Sequence, residues 1–294
     1  MKYNISPYYP ELSLKSDRYS QTYLKKYLDV RFGSWCYTRR AREAIKIALS
    51  YYNLSKDDVV TILTTSGNFY ISSCVTNAIE SICKWSREIV PETKLLFVNH
   101  EFGYPYKNIS ELKTLGFPII EDCAYAFFSG SDNDAIGKVG DFAIYSLPKA
   151  FPIECGGILA CNNKTFTLLD SLPEEEIYKL NNNLAAVIRE EDLVKKQRLF
   201  NYNFLLNELR SIGIDAFFEL EDGIIPGVFI FKWSKDIDYP LLKVFMQNKG
   251  VECSVFYGKN AFFIPIHQNL TPDDLKYFCE LLKRFVSKNE ILKH

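Results

Sequence analysis

The most informative absences in this sequence concern charge and long apolar segments. Its 294 residues carry 35 Lys and Arg against 36 Asp and Glu, so the formal net charge is only −1. Without a global positive field, nonspecific binding of nucleic acid is disfavoured. Apolar runs such as Leu95–Val98 fall far short of the roughly 20 residues that span a bilayer. Because Met1–Ser20 alternates polar and aromatic residues, it does not resemble a signal peptide. We expect neither a nucleic-acid partner nor a membrane partner.

Cysteine pairs with the spacing of a metal or dithiol site are also missing. The eight cysteines, none in a C-x-x-C arrangement, are Cys36, Cys74, Cys83, Cys123, Cys155, Cys161, Cys253 and Cys279. A chain of this length does not need disulfides to fold. We therefore expect no metal site and a reducing, cytoplasmic location.

Apolar and aromatic residues, by contrast, are plentiful. The chain is 47% hydrophobic and 15% aromatic, with 22 Phe and 19 Tyr, which is enough for a sizeable core. Its length corresponds to about two domains at roughly 100–200 residues each.

The first half alternates short apolar segments with amphipathic ones. A stripe that includes Ala44, Ala48 and Leu49 predicts a helix over Ala41–Tyr52. The other predicted helices are Ser72–Ile89 and Ile109–Leu115, and the predicted strands are Val59–Thr64, Lys94–Asn99, Phe117–Ile120, Phe142–Ser146 and Gly157–Cys161. This alternation predicts a mostly parallel sheet covered by helices on both faces.

The pattern changes at Leu184. Residues Leu184–Ile212 predict one long helix or two joined helices. Strands are predicted at Val228–Trp233 and Glu252–Phe256, and helices at Tyr239–Asn248 and Pro272–Val286, the last preceded by a capping box of Thr271 and Asp274. The sequence therefore predicts an α/β protein with a large domain at 1–183, followed by a connecting helix and a small C-terminal α+β domain at 184–294.

Two residues with complementary chemistry come near the ends of neighbouring strands. Asp122 follows the strand Phe117–Ile120, and Lys149 follows Phe142–Ser146. Ligands of open α/β sheets bind beyond the carboxyl ends of strands. Pyridoxal phosphate (PLP) requires a lysine amine for a Schiff base and an acid that keeps its ring nitrogen protonated. By position alone, a solvated lysine and a turn or cap aspartate remain the alternative interpretation.

Several short motifs carry a resemblance that covers Arg42 to Phe285. They are HEFGYP at 100–105, EDCAYA at 121–126, GKVGDFAIYS at 137–146, Lys149 with the glycine pair at 156–157, and FIPIHQNLT at 263–271. In this order they resemble the motifs of the DegT/StrS-type (DegT/DnrJ/EryC1/StrS) sugar aminotransferases. The resemblance implies the PLP-dependent transferase type I fold, that of aspartate aminotransferase, with PLP as cofactor.

The resemblance also implies roles for individual residues around the cofactor ring. Lys149 would form the Schiff base and then act as general acid and base. Asp122 would pair with the pyridine nitrogen, and Ala124 would lie against one ring face. Tyr125 stands where the family usually has Gln or His near the 3-oxygen of the ring. Tyr70 lies at the approximate position of the aromatic residue that stacks on the other face.

At the phosphate end the sequence departs from the family pattern. The family's S-G-T, whose donors meet the phosphate at a helix N-terminus, is replaced by the segment 40–42. Within it, Ala41 and Arg42 are the candidate phosphate contacts, since an Arg makes a bidentate, charge-assisted bond. Arg42 could equally be an exposed residue of the first helical turn. Ser146 is a further candidate, although it comes closer to Lys149 than the family's serine does.

The resemblance implies an aminotransferase that moves an amino group from an amino acid, expected to be glutamate, to a nucleotide-linked keto sugar. This reaction belongs to polysaccharide or amino-sugar biosynthesis. A homodimer is also implied, with Asn182 or Asn183 as candidates to complete the phosphate site of the partner subunit. Structural roles are expected for His100 and His267.

Two alternatives remain. The family's sugar dehydratases are expected to carry His in place of the lysine, so Lys149 argues against them. A non-catalytic relative that acts as a binding or regulatory subunit would explain a chain shorter than is typical of the family. It would also explain the absent S-G-T donors and the shortened loop before Lys149.

Overall fold

The computed structural model describes residues 2–11, 18–130, 136–169 and 172–292. Its first part contains α1 (Arg18–Phe32), β1 (Ser34–Thr38), α2 (Ala41–Ser50), β2 (Val59–Thr64), α3 (Ser73–Glu80), β3 (Lys84–Ser86), β4 (Thr93–Asn99), β5 (Ile119–Asp122), β6 (Phe142–Ser146), α4 (Leu147–Ala150) and β7 (Gly157–Cys161). Its second part contains α5 (Glu174–Val187), α6 (Glu191–Leu209), β8 (Ile214–Ala216), β9 (Val228–Trp233), α7 (Tyr239–Asn248), β10 (Ser254–Phe256), β11 (Ala261–Pro265) and α8 (Pro272–Leu292). Short 3₁₀ turns lie at Glu101–Gly103, Ile109–Leu115, Ile188–Glu190 and Arg210–Ile212.

Seven strands form the first sheet, in the order β1-β7-β6-β5-β4-β2-β3. All neighbours from β6 to β3 run parallel, and β7 is antiparallel to both β1 and β6. Apolar side chains are buried along both β5 and β7, as expected for strands covered on two faces. The predicted mostly parallel sheet is confirmed.

Pairing within this sheet places the ends of β4 and β5 side by side, next to β6. Asn99, the last residue of β4, pairs with Asp122, the last residue of β5, and Asp122 pairs with Ile144 of β6. Because register is set residue by residue along the strands, the side chains at this edge have closely defined positions.

The second sheet is antiparallel, with the order β10-β11-β9-β8. Its core contains Phe229 and Phe231 of β9 and Phe262 of β11, all fully buried, and it includes apolar residues of α6, α7 and α8. This agrees with the predicted small α+β unit. The proposed boundary at 183/184 lies inside α5 and stays a prediction.

Local signals explain some elements and fail for others. The predicted capping box is confirmed, because the Asp274 carboxylate accepts from Thr271 N–H (2.8 Å) and the Thr271 hydroxyl accepts from Asp274 N–H (3.3 Å). The helix predicted over Ser72–Ile89 is wrong beyond Glu80: the chain turns and β3 pairs with β2 as an edge strand. That pairing is a long-range contact, which the helical periodicity of the sequence cannot reveal.

Three further differences concern the limits of elements. The predicted helix Ile109–Leu115 is a 3₁₀ turn, and β5 extends to Asp122. The long segment from Leu184 is two helices, α5 and α6, joined by a short turn. Within the described residues, no helix combines the length and apolarity that a membrane span requires.

Candidate active site

A cavity of about 350 Å³ lies where the two sheets meet. The first part of the chain lines it with residues from the ends of β2, β4 and β5, from α4, and from the first turns of α2 and α3. The second part contributes residues of the β10–β11 hairpin. All of the residues predicted to contact the cofactor within one chain, except Ser146, line this cavity: Ala41, Arg42, Tyr70, Asp122, Ala124, Tyr125 and Lys149.

We call Asn99, Asp122 and Lys149 the cavity floor. Asp122 is 6% exposed, and its two carboxylate oxygens accept hydrogen bonds from Asn99 Nδ2 and from Ala124 N–H, both at 3.0 Å. Burial raises the pKa of the Asp122 carboxyl, while the Lys149 ammonium and the Ala124 N–H act in the opposite direction. A cationic group placed in the cavity would therefore stabilise the ionised form.

Glu121, next to Asp122, has a different environment. Its carboxylate is fully buried and accepts from three backbone N–H groups of the G-x-x-G segment, Gly137 (2.8 Å), Val139 (2.8 Å) and Gly140 (2.7 Å). His100 Nε2 lies 2.9 Å from the same carboxylate. These bonds tie the 137–140 segment to β5.

The tautomer of His100 follows from its other contact. Tyr106 N–H donates to His100 Nδ1 (3.0 Å), so Nε2 carries the proton and donates to Glu121. Cys123 brings its sulfur within 4.8 Å of ligand atoms of His100 and Glu121, but these two residues are already hydrogen-bonded. Burial raises the pKa of the Cys123 thiol well above its usual value. The trio is best explained as packing and hydrogen bonding, and His100 has the structural position expected for it.

Lys149 extends from α4, a single helical turn that begins directly after β6. Its Nζ atom lies 3.9 Å from the centroid of the Tyr125 ring, a cation–π contact. Tyr125 itself packs over Gly227, where a Cβ atom would come within 2.4 Å of the ring. The absence of a side chain at Gly227 therefore allows Tyr125 to take this place beneath the lysine.

We call Arg42, Tyr70 and Tyr257 the cavity mouth. Tyr70 is 53% exposed, and its ring centroid lies 5.2 Å from that of Tyr257 in the β10–β11 hairpin. Buried Asn68 holds the two segments together, because its Nδ2 donates to Tyr257 O (2.6 Å) and its Oδ1 accepts from Tyr70 N–H (3.2 Å). Sequence reasoning missed Asn68, since its partner Tyr257 is distant along the chain.

Arg42 lies in the first turn of α2, exposed and with its guanidinium 3.4 Å from Cys74 Sγ. The first backbone N–H groups of a helix have no intrahelical partner, and Ala41 brings those of α2 to the cavity. Gly157 permits this arrangement, since a Cβ atom there would lie 2.9 Å from Ala41 N. Gly157 thus allows close approach of the α2 backbone to β7.

The remaining phosphate candidates lie away from the cavity. Ser146 occupies the junction between β6 and α4, because α4 begins at the next residue. Asn182 and Asn183 lie on α5, and Asn182 accepts from Gln21 Nε2 at 2.6 Å.

No protein-family model matches the sequence. Among solved structures, the chain is similar to the aminotransferase TlmJ from Streptoalloteichus hindustanus, with 14% identity, a TM-score of 0.74, and 98% of this chain and 100% of that chain covered. It is also similar to the putative sugar aminotransferase Spr1654 from Streptococcus pneumoniae in its PMP-form, with 12% identity, a TM-score of 0.72 and all of both chains covered. A DegT DnrJ EryC1 StrS aminotransferase from Brucella abortus has 12% identity and a TM-score of 0.68, with 92% and 91% covered.

At such low identity this likeness concerns the fold. The chain has the fold of these aminotransferases, the PLP-dependent transferase type I fold, as the sequence motifs predicted.

Proposed function

We propose that this chain is a PLP-dependent aminotransferase that transfers an amino group, with glutamate as the donor, to a nucleotide-linked keto sugar. The reaction would serve polysaccharide or amino-sugar biosynthesis in the cytoplasm. One observation carries the proposal: Asp122, a buried acid with a raised pKa, and the amine-bearing Lys149 line the same cavity at neighbouring strand ends. The fold shared with sugar aminotransferases supports it.

The residues present fit PLP. The Asp122 carboxyl suits a protonated pyridine nitrogen, because a cation relieves the cost of its burial. At the mouth, Arg42 and the N-terminus of α2 suit a phosphate. Ala124 and Tyr70 would lie on the two ring faces, and Tyr125 would be near the 3-oxygen.

When bound, PLP supplies an electron sink for the substrate carbon. Lys149 Nζ would take the proton from that carbon as general base. It would then give the proton back as general acid. Asn99 and the Ala124 N–H hold the Asp122 carboxylate in one orientation throughout. The hairpin residue Tyr257 packs against Tyr70 at the mouth and would limit access of water.

The assembly is proposed to be a homodimer. In it, Asn182 or Asn183 of one subunit would complete the phosphate site of the other. Sedimentation of the purified protein would establish whether two chains associate.

The principal test is whether PLP reacts with Lys149. Addition of PLP should produce an absorbance band near the visible edge, and borohydride should then fix the cofactor mass on the peptide that contains Lys149. Lys149→Ala should lose this label, while Lys276→Ala, a change at an exposed lysine of α8, should keep it. Release of 2-oxoglutarate from glutamate would then establish the donor. Labelling spread over surface lysines would contradict the proposal.

A non-catalytic binding or regulatory subunit is the second candidate. Two features of the candidate phosphate contacts favour it: Arg42 is exposed, and Ser146 lies outside the cavity. A protein that binds a sugar nucleotide or another aminotransferase-like chain but leaves Lys149 unlabelled would support this candidate.

A further inference from the structure

Arg198 of α6 is a buried cation that the proposed chemistry does not use. It is 1% exposed, and within the described part of the chain no acidic side chain forms an ion pair with it. Burial lowers its pKa to about 10, and the neighbouring Tyr125 acts in the opposite direction. Burying an arginine without a carboxylate is unfavourable. Its presence therefore requires another explanation.

The contacts of Arg198 converge on the turn that carries the lysine. Its Nη2 donates to Lys149 O (2.8 Å) and to Ala150 O (3.1 Å). Its Nε donates to Gln268 Oε1 (3.0 Å), and Gln268 Nε2 donates to Ala150 O (3.0 Å). The guanidinium and one amide thus bind the carbonyl groups at the end of α4.

A helix of one turn depends on such contacts. Nucleation of a helix is unfavourable, and α4 spans only Leu147–Ala150. Its terminal carbonyls have no partner within the helix, so they need donors from elsewhere. Arg198 supplies donors with a rigid planar geometry, which limits where the Lys149 backbone can lie.

The same arginine also lies near the aromatic residue beneath the lysine. Tyr125 is within electrostatic range of Arg198, and its ring contacts Lys149 Nζ. Phe128 packs over the guanidinium at 5.2 Å. Arg198 therefore contacts the backbone of Lys149 directly, and both residues lie near Tyr125.

We propose that Arg198 is a positioning residue, which holds the Lys149 carbonyl and thereby sets where the lysine amine lies in the cavity. This inference rests on the proposed function for its catalytic consequence. The position of α4, however, can be measured without any cofactor.

The alternative is that Arg198 merely ties α6 to the rest of the fold. Asn201, one turn further along α6, provides the matched control. It is equally buried, and its Nδ2 donates to Ile266 O (3.1 Å) and His267 O (3.0 Å). Asn201 thus joins α6 to the segment that follows β11, through contacts that do not involve α4.

The experiment compares Arg198→Met, Arg198→Lys and Asn201→Ala. Amide hydrogen exchange of the cofactor-free proteins should accelerate at least tenfold at the amide of Phe151, which donates to Leu147 O, in Arg198→Met and not in Asn201→Ala. In the enzyme with PLP, Arg198→Met should lower kcat about 10–100-fold. The KM values for the amino donor and for the keto acceptor should stay within about twofold of wild type. Arg198→Lys should change the exchange rate and kcat less than Arg198→Met does, because it retains a donor and the charge.

Equal exchange at α4 in the Met and Ala variants, or a change in KM rather than kcat, would overturn the inference. If Arg198→Met does not fold, the milder Arg198→Lys decides by the same two measurements. If PLP does not react with the wild-type protein, the proposed function fails, but the exchange comparison still tests whether Arg198 positions α4.

Discussion

The floor and the mouth of the cavity are built in contrasting ways. At the floor, Asp122 is 6% exposed and bonded through both carboxylate oxygens, and its place follows from strand register. At the mouth, Tyr70 is 53% exposed and Arg42 contacts only a sulfur among the described hydrogen bonds. Sites supported by rigid elements and a surrounding layer of bonds are more precise than sites on exposed turns. Under the proposed function, the floor would carry out the proton chemistry and the mouth would retain the cofactor.

The largest expected effect comes from Asp122→Asn. Because the change removes the acid that would face the pyridine nitrogen, aminotransferase activity should fall about 10²–10⁴-fold. The fold should not lose stability, since burial already disfavours the charged carboxyl and the Asn99 amide can rotate to match. Steady-state kinetics and urea unfolding measure the two quantities. Full activity in this variant would remove Asp122 from the mechanism.

The neighbouring substitution Glu121→Gln should lower the stability of the fold rather than the activity. The introduced amide NH₂ would face donors in either orientation: the N–H groups of Val139 and Gly140 in one. In the other it would face the Gly137 N–H and His100 Nε2. Breaking a buried charged network of this kind costs about 3–5 kcal/mol. Urea unfolding would show the loss, and Glu176→Gln, at an exposed ion pair with Arg39, should change stability by less than about 1 kcal/mol. Wild-type stability in Glu121→Gln would refute the structural role.

At the mouth, Arg42→Ala should weaken PLP binding about 10–100-fold, because a hydrogen bond to a charged group contributes about 1.5–3 kcal/mol. Affinity for pyridoxal, which lacks the phosphate, should stay unchanged. Arg39→Ala is the control, since Arg39 pairs with Glu176 outside the cavity lining. Titrations followed by absorbance would supply the dissociation constants. Equal losses for PLP and pyridoxal would show that Arg42 does not bind the phosphate.

The smallest expected effect is on the pH dependence of stability. Burial raises the folded-state pKa of Asp122, so folding favours its protonated form. The stability from this group is fully present below its unfolded pKa, near 3.8, and is lost as the pH rises through the folded-state value. The test compares the unfolding free energies of the cofactor-free wild type and of Asp122→Asn. The difference, wild type minus variant, should increase as the pH falls, by at most about 1.4 kcal/mol per pH unit. A difference that does not vary with pH would contradict this assignment.

Much of the floor could be predicted from the sequence. Asp122 and Lys149 lie at ends of apolar strands, and strand ends can be located from short-range patterns. The edge strand β3 and the end of α3 could not be predicted, because pairing of Val59 with Lys84 competes with local helical preference. The sequence also could not show which neighbour Gly157 accommodates, because the backbone of Ala41 approaches it only in the folded chain.

By itself, the sequence determined the α/β class, the alternation of strands and helices, and the positions of an acid and a lysine at strand ends. These features depend on neighbouring residues and on periodicity, which a single chain displays directly. Only the tertiary structure decided that Arg198 binds the Lys149 carbonyl and that Asn68 joins Tyr70 to Tyr257. The Arg198–Lys149 and Asn68–Tyr257 contacts join residues far apart along the chain. Their geometry exists only after both sheets have packed, so no local pattern can encode it.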